Sequence, residues 1–321
     1  MKIHSLNSTQ WNYIDAVVLL FAVLCLLGCS KHTAATPKGT ATQATFADPA
    51  EAGQALLAAM QTDDQNALAQ ILGPKSPAIL SSGDPTEDRA GERSFVAKYH
   101  RMNRWAKMTD GSQVLYIGAD NYPFPIPLAQ DKSSQWYFDT AAGEEELLAR
   151  RIGRNELLAI DASTSIGNAE ELYHREPRDG SPVRQYTSRI LSSPGKQDGL
   201  HWAAPPDQAP SPLGRVEEFA KDAVSSPSDG GSVVFDGYSF RILTGQGADA
   251  EGGVRSYVVN GKMTGGFAVL AYPVKYQDSG IMTFLMNREG VVYQKDLGEK
   301  TTEIAASIQD YNPADGWTPA E

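Results

Sequence analysis

The sequence predicts an α+β protein with three parts. These are a small N-terminal helix-plus-sheet domain, a long connecting helix, and a C-terminal antiparallel β-meander packed on helix. Three observations carry this prediction. Leu148, Ile152, Asn155, Ala159, Ala162, Ile166, Ala169 and Tyr173 are spaced alternately four and three apart, which places them on one helix face over many turns. From Gly237 onward, short alternating segments are punctuated by turn residues, among them Asn260-Gly261, the strongest hairpin dipeptide. Between 113 and 138, shorter strand patterns follow a helical front.

The chain has 321 residues and a formal net charge of -11, and it divides into four stretches. Residues 1–28 read as an export signal. Lys2 and the amino terminus are positive, and an unbroken apolar run from Ala16 to Leu27 follows. That run matches a signal-peptide core and is short for a mature transmembrane helix. It ends Leu26-Leu27-Gly28-Cys29, the pattern of a lipobox, in which the thiol of Cys29 is acylated before cleavage. Asp15 beside the apolar core and the bulk of Leu27 depart from the commonest form. Cys25 would leave with the signal, so the mature chain would hold one sulfur, occupied by lipid, and no disulfide. Each buried acyl methylene contributes about 0.8 kcal/mol, so an anchor with more than one chain holds firmly.

Residues 29–45 read as a flexible tether rich in Thr, Ala, Lys and Pro. Ser30 gives no strong inner-membrane retention signal, so an outer-membrane placement is favoured over the inner membrane, with the fold facing the periplasm. Loss of Lys2 and Asp15 with the signal leaves the net charge unchanged. An acidic surface of this size argues against nucleic acid, which needs clustered Lys and Arg. The expected partners are the membrane, through the lipid anchor, and an envelope protein.

Residues 46–140 form the expected N-terminal domain. Asp48-Pro49 with Glu51 reads as an N-cap, a first-turn proline and a first-turn acid. Two apolar stripes separated by Asp63-Asp64 predict two short helices between Ala47 and Gly73. Phe95 to Trp105 predicts a further short helix. Strands are expected at Gln113–Gly118, Tyr122–Leu128 and Gln135–Phe138. In the middle one, Pro123, Pro125 and Pro127 alternate with Phe124, Ile126 and Leu128. Prolines at alternate positions remove donors from one edge only, which predicts an edge strand with the apolar residues facing the core.

Residues 141–321 hold the long helix, Ala141–Glu176, and the meander. Glu146 and Arg150 stand one turn apart in the favourable order, and Gly153 and Gly167 are places where the helix could bend or split. A short helix is expected in Ser181–Leu191 and a loop in Ser192–Gly214. Strands follow at 238–242, Val254–Val259, Phe267–Val274, Ile281–Met286 and Val291–Lys295, and a closing helix at Thr301–Tyr311.

Motifs for chemistry are sparse. The sequence contains no Gly-x-Ser-x-Gly elbow and no phosphate loop ending Gly-Lys-Ser/Thr. Gly245-Gln246-Gly247 follows a strand without opening a helix. His32, His100, His174 and His201 have no metal-ligand spacing on a helix, and His174 at a helix end suits the dipole. No catalytic residue, metal site or cofactor is assigned. Two candidate sites remain. One is the binding loop Ser192–Trp202, with Lys196, Asp198, His201 and Trp202, weighed against a plain connector between helix and sheet. The other is a pocket in the N-terminal domain to which Asp84 and Asp120 would contribute. The first favours a non-enzymatic binding or assembly module. The second favours a periplasmic hydrolase or small-ligand-binding protein.

Several segments together resemble the bacterial family catalogued as domain of unknown function 2950. They are Phe46–Met60, Ser82–Pro85, Tyr122–Leu128, Trp136–Leu157 (WYFDTAAGEEELLARRIGRNEL), Ser193–Trp202, Gly237–Gly247 and Tyr257–Gly298. The resemblance implies an exported envelope protein and supplies no catalytic residues. The long helix followed by a meander ending Gly-Val-Val-Tyr is also similar to the heads of type IV pilins and pseudopilins, although a lipobox stands where a prepilin leader would be. The front helices with a sheet ending Trp-Tyr-Phe-Asp are similar to small cone-shaped domains of the nuclear-transport-factor-like kind.

Overall fold

The computed structural model describes residues 43–73, 76, 79, 85–178, 180–204, 210–214, 232–314 and 316–320. The chain is α+β and forms two compact units, Met1–Arg150 and Arg151–Glu321. The division falls inside the long helix. The expected export signal, Cys29 and most of the expected tether lie outside the described residues.

The first unit packs three helices on one face of a sheet. α1 (Pro49–Thr62) starts where the sequence places it: Asp48 accepts from the Glu51 N–H, and Pro49 occupies the first turn. α2 (Gln65–Leu72) is capped by Asp64, which accepts from the N–H groups of Asn66 and Ala67. The acidic turn between them is therefore two consecutive cap positions. Hydrogen bonds of Gln43 Nε2 to the Ile71 and Phe138 carbonyls, and of Ala44 N–H to Gln70 O, tie residues ahead of Phe46 into this unit.

α3 (Pro85–Arg101) starts ten residues before the helix expected from Phe95, and Trp105 belongs to a strand. The reason is compositional. Its first half is polar and exposed, so apolar periodicity registers only where Phe95 and Tyr99 turn inward. Lys98, His100 and Arg101 in its last turn suit the helix dipole.

The sheet is antiparallel, with order β1 (Asn103–Lys107), β2 (Gln113–Ile117), β4 (Leu128–Gln130), β5 (Trp136–Phe138), and β3 (Tyr122–Pro123) also pairing with β2. The Pro-rich segment is an edge at its start, where β3 pairs with β2 alone, and interior at its end, where Leu128 lies between β2 and β5. It pairs with β2 at both ends and leaves the ladder between them, because prolines without N–H cannot sustain a continuous ladder. Its apolar half behaves as expected: Phe124, Ile126 and Leu128 are buried beside Leu56, Leu68, Phe95, Leu115 and Phe138. β1, like β3, pairs only with β2, and β5 bridges to Phe46 through Trp136.

α4 (Thr140–His174) is one helix of 35 residues. Asp139 caps its start, accepting from Ala142 N–H. Thr140 Oγ1 donates to the Leu72 carbonyl, and the Gly143 face lies against Ile126. The stripe read from the sequence is the buried face: Ile152, Asn155, Ala159, Ala162, Ile166, Ala169 and Tyr173 are buried. Gly153 and Gly167 do not interrupt the helix. At Gly167 the missing side chain makes room for Met286, whose Cε would stand 2.6 Å from an added Cβ.

The second unit is built on a six-stranded antiparallel sheet. Its order is β15 (Thr318–Pro319), β14 (Val292–Asp296), β13 (Met282–Asn287), β12 (Ala268–Pro273), β7 (Tyr238–Leu243), β6 (Val233–Phe235). The stretch 244–266 departs from it as two small hairpins, β8 (Gly245–Gln246) with β9 (Arg255–Ser256), and β10 (Val258–Val259) with β11 (Lys262–Met263). The strand expected over Val254–Val259 is therefore split in two. The Asn260-Gly261 turn forms as expected, with φ of 52° and 72°.

β12 is buried along its whole length because both faces of the sheet are covered. Alternation puts Tyr238, Phe240, Ile242, Val269, Phe284 and Met286 on the α4 side. On the other side Arg241 donates to the carbonyls of Ala305 and Ile308 at α5 (Thr301–Ser307). Residues 181–190 form no helix. They run as an irregular extended segment that ends in a bridge between Leu191 and His201. Pro182, Ser188 and the outward bonding of Thr187 explain the loss of helix there. Among the described residues, no helix is long and apolar enough to cross a membrane.

Candidate functional site

The end of α4 and the loop that wraps it form the most unusual polar environment in the second unit. The alternation that buries Ile166, Ala169 and Tyr173 also turns Glu170 inward, and its side chain is fully buried at 0% exposure. Glu170 Oε2 accepts from the Thr187 N–H at 3.1 Å. Its Oε1 has no partner among the described residues. Burial pushes this carboxyl well above the usual range; the Thr187 N–H opposes that shift and the neighbouring Glu171 charge adds to it.

Glu171, half-buried, accepts from Tyr186 OH at 3.1 Å and from Arg288 Nε at 2.8 Å. Tyr186 stacks on His174 with ring centroids 4.3 Å apart. Its hydroxyl is pushed up to about 12 by burial and then by the Glu171 charge.

The loop is tied to the helix through its backbone. Thr187 Oγ1 donates to the Asp198 carbonyl at 2.6 Å, and Tyr173 OH donates to the Gln197 carbonyl at 2.8 Å. Asp198 works inside the loop, its two oxygens accepting from the Ser193 N–H and Ser193 hydroxyl, each at 2.7 Å. Burial alone would raise its carboxyl, but the Ser193 bonds and Arg189 outweigh burial and hold it below the usual range. The His201 ring contacts Ser211 Oγ through Nδ1 at 3.3 Å, and burial lowers its pKa, so the ring is neutral at neutral pH. Lys196 is exposed at the tip, where its N–H closes on the Ser193 carbonyl.

Arg178, four residues beyond the helix, joins helix to loop. Its guanidinium carbon lies 5.2 Å from the Tyr173 ring centroid and 5.2 Å from that of Trp202. Its NH1 meets Gln197 Oε1 at 3.5 Å, and its NH2 meets Glu176 Oε2 at 3.5 Å. Arg178 Nε and Trp202 Nε1 are buried and have no partner among the described residues. A buried donor left unpaired costs about 1–3 kcal/mol, and more if charged, so such atoms call for an explanation.

The structure links Trp202 to Arg178 and the Asp198 backbone to Thr187, while His201 meets Ser211 and Lys196 is exposed. It adds Glu170, Tyr173 and Arg178, which the sequence reading did not select. A signal for Glu170 was present: it stands four residues after Ile166 and three before Tyr173, on the buried stripe itself.

The second predicted site stands differently. Asp120, in the first unit, accepts from Lys98 Nζ at 2.7 Å, and this bond holds its carboxyl below the usual range. Lys98 and Arg150 both lie over the Tyr122 ring, at 4.7 Å and 5.3 Å, so the Asp120 neighbourhood is a surface network of paired charges. Asp84 lies outside the described residues. Among the described residues, no group of three or more His, Cys, Asp or Glu side chains is placed to hold a metal ion.

No curated protein and no solved structure matches the chain. The family described as "Protein of unknown function (DUF2950)" matches residues 43–320, which spans both units and the whole of the site. The chain belongs to that family.

Proposed function

We propose that this protein is an envelope lipoprotein, held to a membrane by acyl chains on Cys29, whose folded part is a non-enzymatic binding or assembly module facing the periplasm. The outer membrane is the favoured address. The anchor reading rests on the apolar run ending Leu26-Leu27-Gly28-Cys29.

The module reading rests on one observation. Three buried polar atoms without partners among the described residues, Glu170 Oε1, Arg178 Nε and Trp202 Nε1, belong to the end of α4 and the segments that follow it. Unmet hydrogen-bonding capacity in this part of the second unit supports a recognition role. The carboxylates around it are committed to structural bonds, Asp198 to Ser193 and Glu171 to Tyr186 and Arg288. A hydrolase in the first unit has less support, because Asp120 is committed to Lys98.

Mass spectrometry of the N-terminal peptide from isolated membranes tests the anchor: a lipidated Cys29 is expected, and a free thiol or retained leader overturns it. A photo-crosslinker at Lys196 in intact envelopes tests the module. A discrete adduct lost in Trp202→Ala is expected. An adduct pattern unchanged by that substitution sinks the loop as the contact surface.

A further inference from the structure

Among the described residues, nine large apolar side chains are exposed, and three of them fall within six positions: Val254 at 79% exposure, Val258 at 40% and Val259 at 49%. All three belong to the two small hairpins that leave the main sheet between β7 and β12. A fourth, Val291, lies at the same end of that sheet, where Leu243 and Asn287 both pair with Ala268 and Val292 pairs with Met286.

This exposure is built into the fold. Tyr257 and Met263, at the base of the β10–β11 hairpin, are buried. Tyr257 OH donates to Gln246 Oε1, the Tyr257 carbonyl accepts from the Gly265 N–H, and the Met263 carbonyl accepts from the Tyr186 N–H. The ladder then closes at the Asn260-Gly261 turn. Successive strand residues point to opposite faces. Val258 and Val259 therefore project from the two faces of a ribbon only two strands wide, and both stay exposed. A flat partner could cover one of them, whereas a medium that surrounds the tip covers both. Valine is also a poor anchor for a protein partner, where Trp, Tyr and Arg carry most of the binding.

Charge at the tip runs against that of the whole chain. The formal net charge is -11, yet no Asp or Glu occurs between Glu251 and Asp278, while Arg255 and Lys262 both lie in the hairpins. Arg255 sits over the Tyr257 ring at 5.7 Å and donates to Gln246, and Lys262 stands opposite Val259 in the register. Glu289 and Asp310 act on the Tyr257 hydroxyl, where it meets Gln246. Cations beside apolar side chains match a layer in which anionic headgroups lie above acyl chains. We propose that the β10–β11 tip and Val254 dip into the interfacial layer of a bilayer with anionic lipids, with Arg255 and Lys262 at the headgroups. Three valines and two cations bind weakly by themselves. For a chain already held at a membrane, a weak contact suffices, because the tether raises its effective concentration. The contact rests on the membrane address proposed above and adds which surface of the fold meets lipid.

The test does not need the acyl anchor. The full chain carrying Cys25→Ser and Cys29→Ser is tethered by a C-terminal histidine tag to vesicles of phosphatidylethanolamine, phosphatidylglycerol and a nickel-chelating lipid. The chain has two cysteines, so Val259→Cys then supplies the single thiol for a polarity-sensitive dye. Val274→Cys is the comparison. Val274 is similarly exposed, but it follows the far end of β12, whose six residues put it about 20 Å from the hairpin end of the sheet.

The expected result is a blue shift of the dye at position 259 and its quenching by brominated acyl chains, with neither at position 274. Val254→Ser combined with Val258→Ser should lower quenching at 259 to the level seen at 274. Arg255→Gln combined with Lys262→Gln, or high salt, should weaken it. Circular dichroism reports whether each variant is folded. A dye that stays aqueous at 259 overturns the contact. So does equal quenching at both positions, or quenching that survives the two serines in a folded variant. Quenching unchanged by the two glutamines overturns the role of anionic headgroups. A shift at 259 that grows with protein concentration in the absence of vesicles gives the tip to a second copy and overturns the bilayer. Acylated Cys29 with an aqueous tip keeps the anchor and removes the contact, whereas unmodified Cys29 with a buried tip does the reverse.

Discussion

The two units solve the same problem, a sheet with an apolar face, in opposite ways. In the first, helices α1 to α3 cover one face and the other keeps Arg104 over Tyr116 at 4.3 Å in a half-exposed ladder. Its charges find partners at the surface, Lys98 with Asp120 and Arg150 with Glu146. In the second, α4 and α5 cover both faces, β12 has no exposed residue, and a titratable group, Glu170, is carried inside. The lesson is one of geometry. A sheet covered once can leave every charge in water, whereas a sheet covered twice forces some polar groups to be satisfied internally or left for a ligand.

The largest expected break in this comparison is Phe284→Ala. Phe284 is fully buried between the sheet and α4, so its loss should cost about 3–5 kcal/mol in urea unfolding. Tyr116→Ala, on the half-covered face, should cost well under half of that. Equal costs would mean that the second sheet is not packed on both sides.

Next comes the buried acid. The Glu170 carboxyl is raised, so the folded chain keeps a proton that the unfolded chain releases above about pH 4.5. Stability should then fall as pH rises through that window, by roughly 1 kcal/mol per pH unit, until Glu170 ionises in the fold. The Thr187 N–H, the Glu171 charge and the Tyr186 hydroxyl are the groups that act on it. Glu170→Gln keeps an acceptor for Thr187 and carries no proton to release. Unfolding midpoints at about pH 5 and about pH 8 should therefore differ more for the parent chain than for this variant. Parallel pH profiles would show that Glu170 is already ionised.

Two glycines of α4 sharpen the contrast within a single helix. An added Cβ at Gly143 would stand 2.7 Å from Ile126 Cγ1 and 3.2 Å from its Cβ, and a β-branched neighbour cannot swing away. Gly143→Ala should destabilise by about 1–3 kcal/mol. At Gly153 nothing lies within 4 Å, so Gly153→Ala should stabilise by about 0.5–1 kcal/mol. Melting temperatures moving in the same direction for both would contradict the packing described.

The smallest effect belongs to Asp120→Asn. The pair with Lys98 is half in water, so its loss should cost about 0.2–1 kcal/mol. The Asp120 carboxyl is held below 3.8. The contribution is therefore present above that pH and disappears as the pH falls below it, and high salt should erase most of it.

The sequence alone determined the parts that depend on near neighbours. The α4 stripe from Ile152 to Tyr173, the Asp48 and Asp64 caps, and the Asn260-Gly261 turn all follow from spacing and from local hydrogen bonds. The burial of Phe124, Ile126 and Leu128 follows from alternation in the same way. Only the tertiary structure decided which strand lies beside which. It put the Leu128 end of the Pro-rich segment between β2 and β5, and it carried residues 181–190 into extended chain bonded to α4.

It also decided the candidate site. Glu170 and Glu171 are adjacent acids of one helix, and nothing local separates the one that accepts from Thr187 inside from the one that meets Arg288 near the surface. Arg178 and Trp202 stand 24 positions apart in the chain. Their stacking exists because the loop folds back on the helix end, and a contact between residues so distant is fixed by packing, which leaves no periodic mark in the sequence.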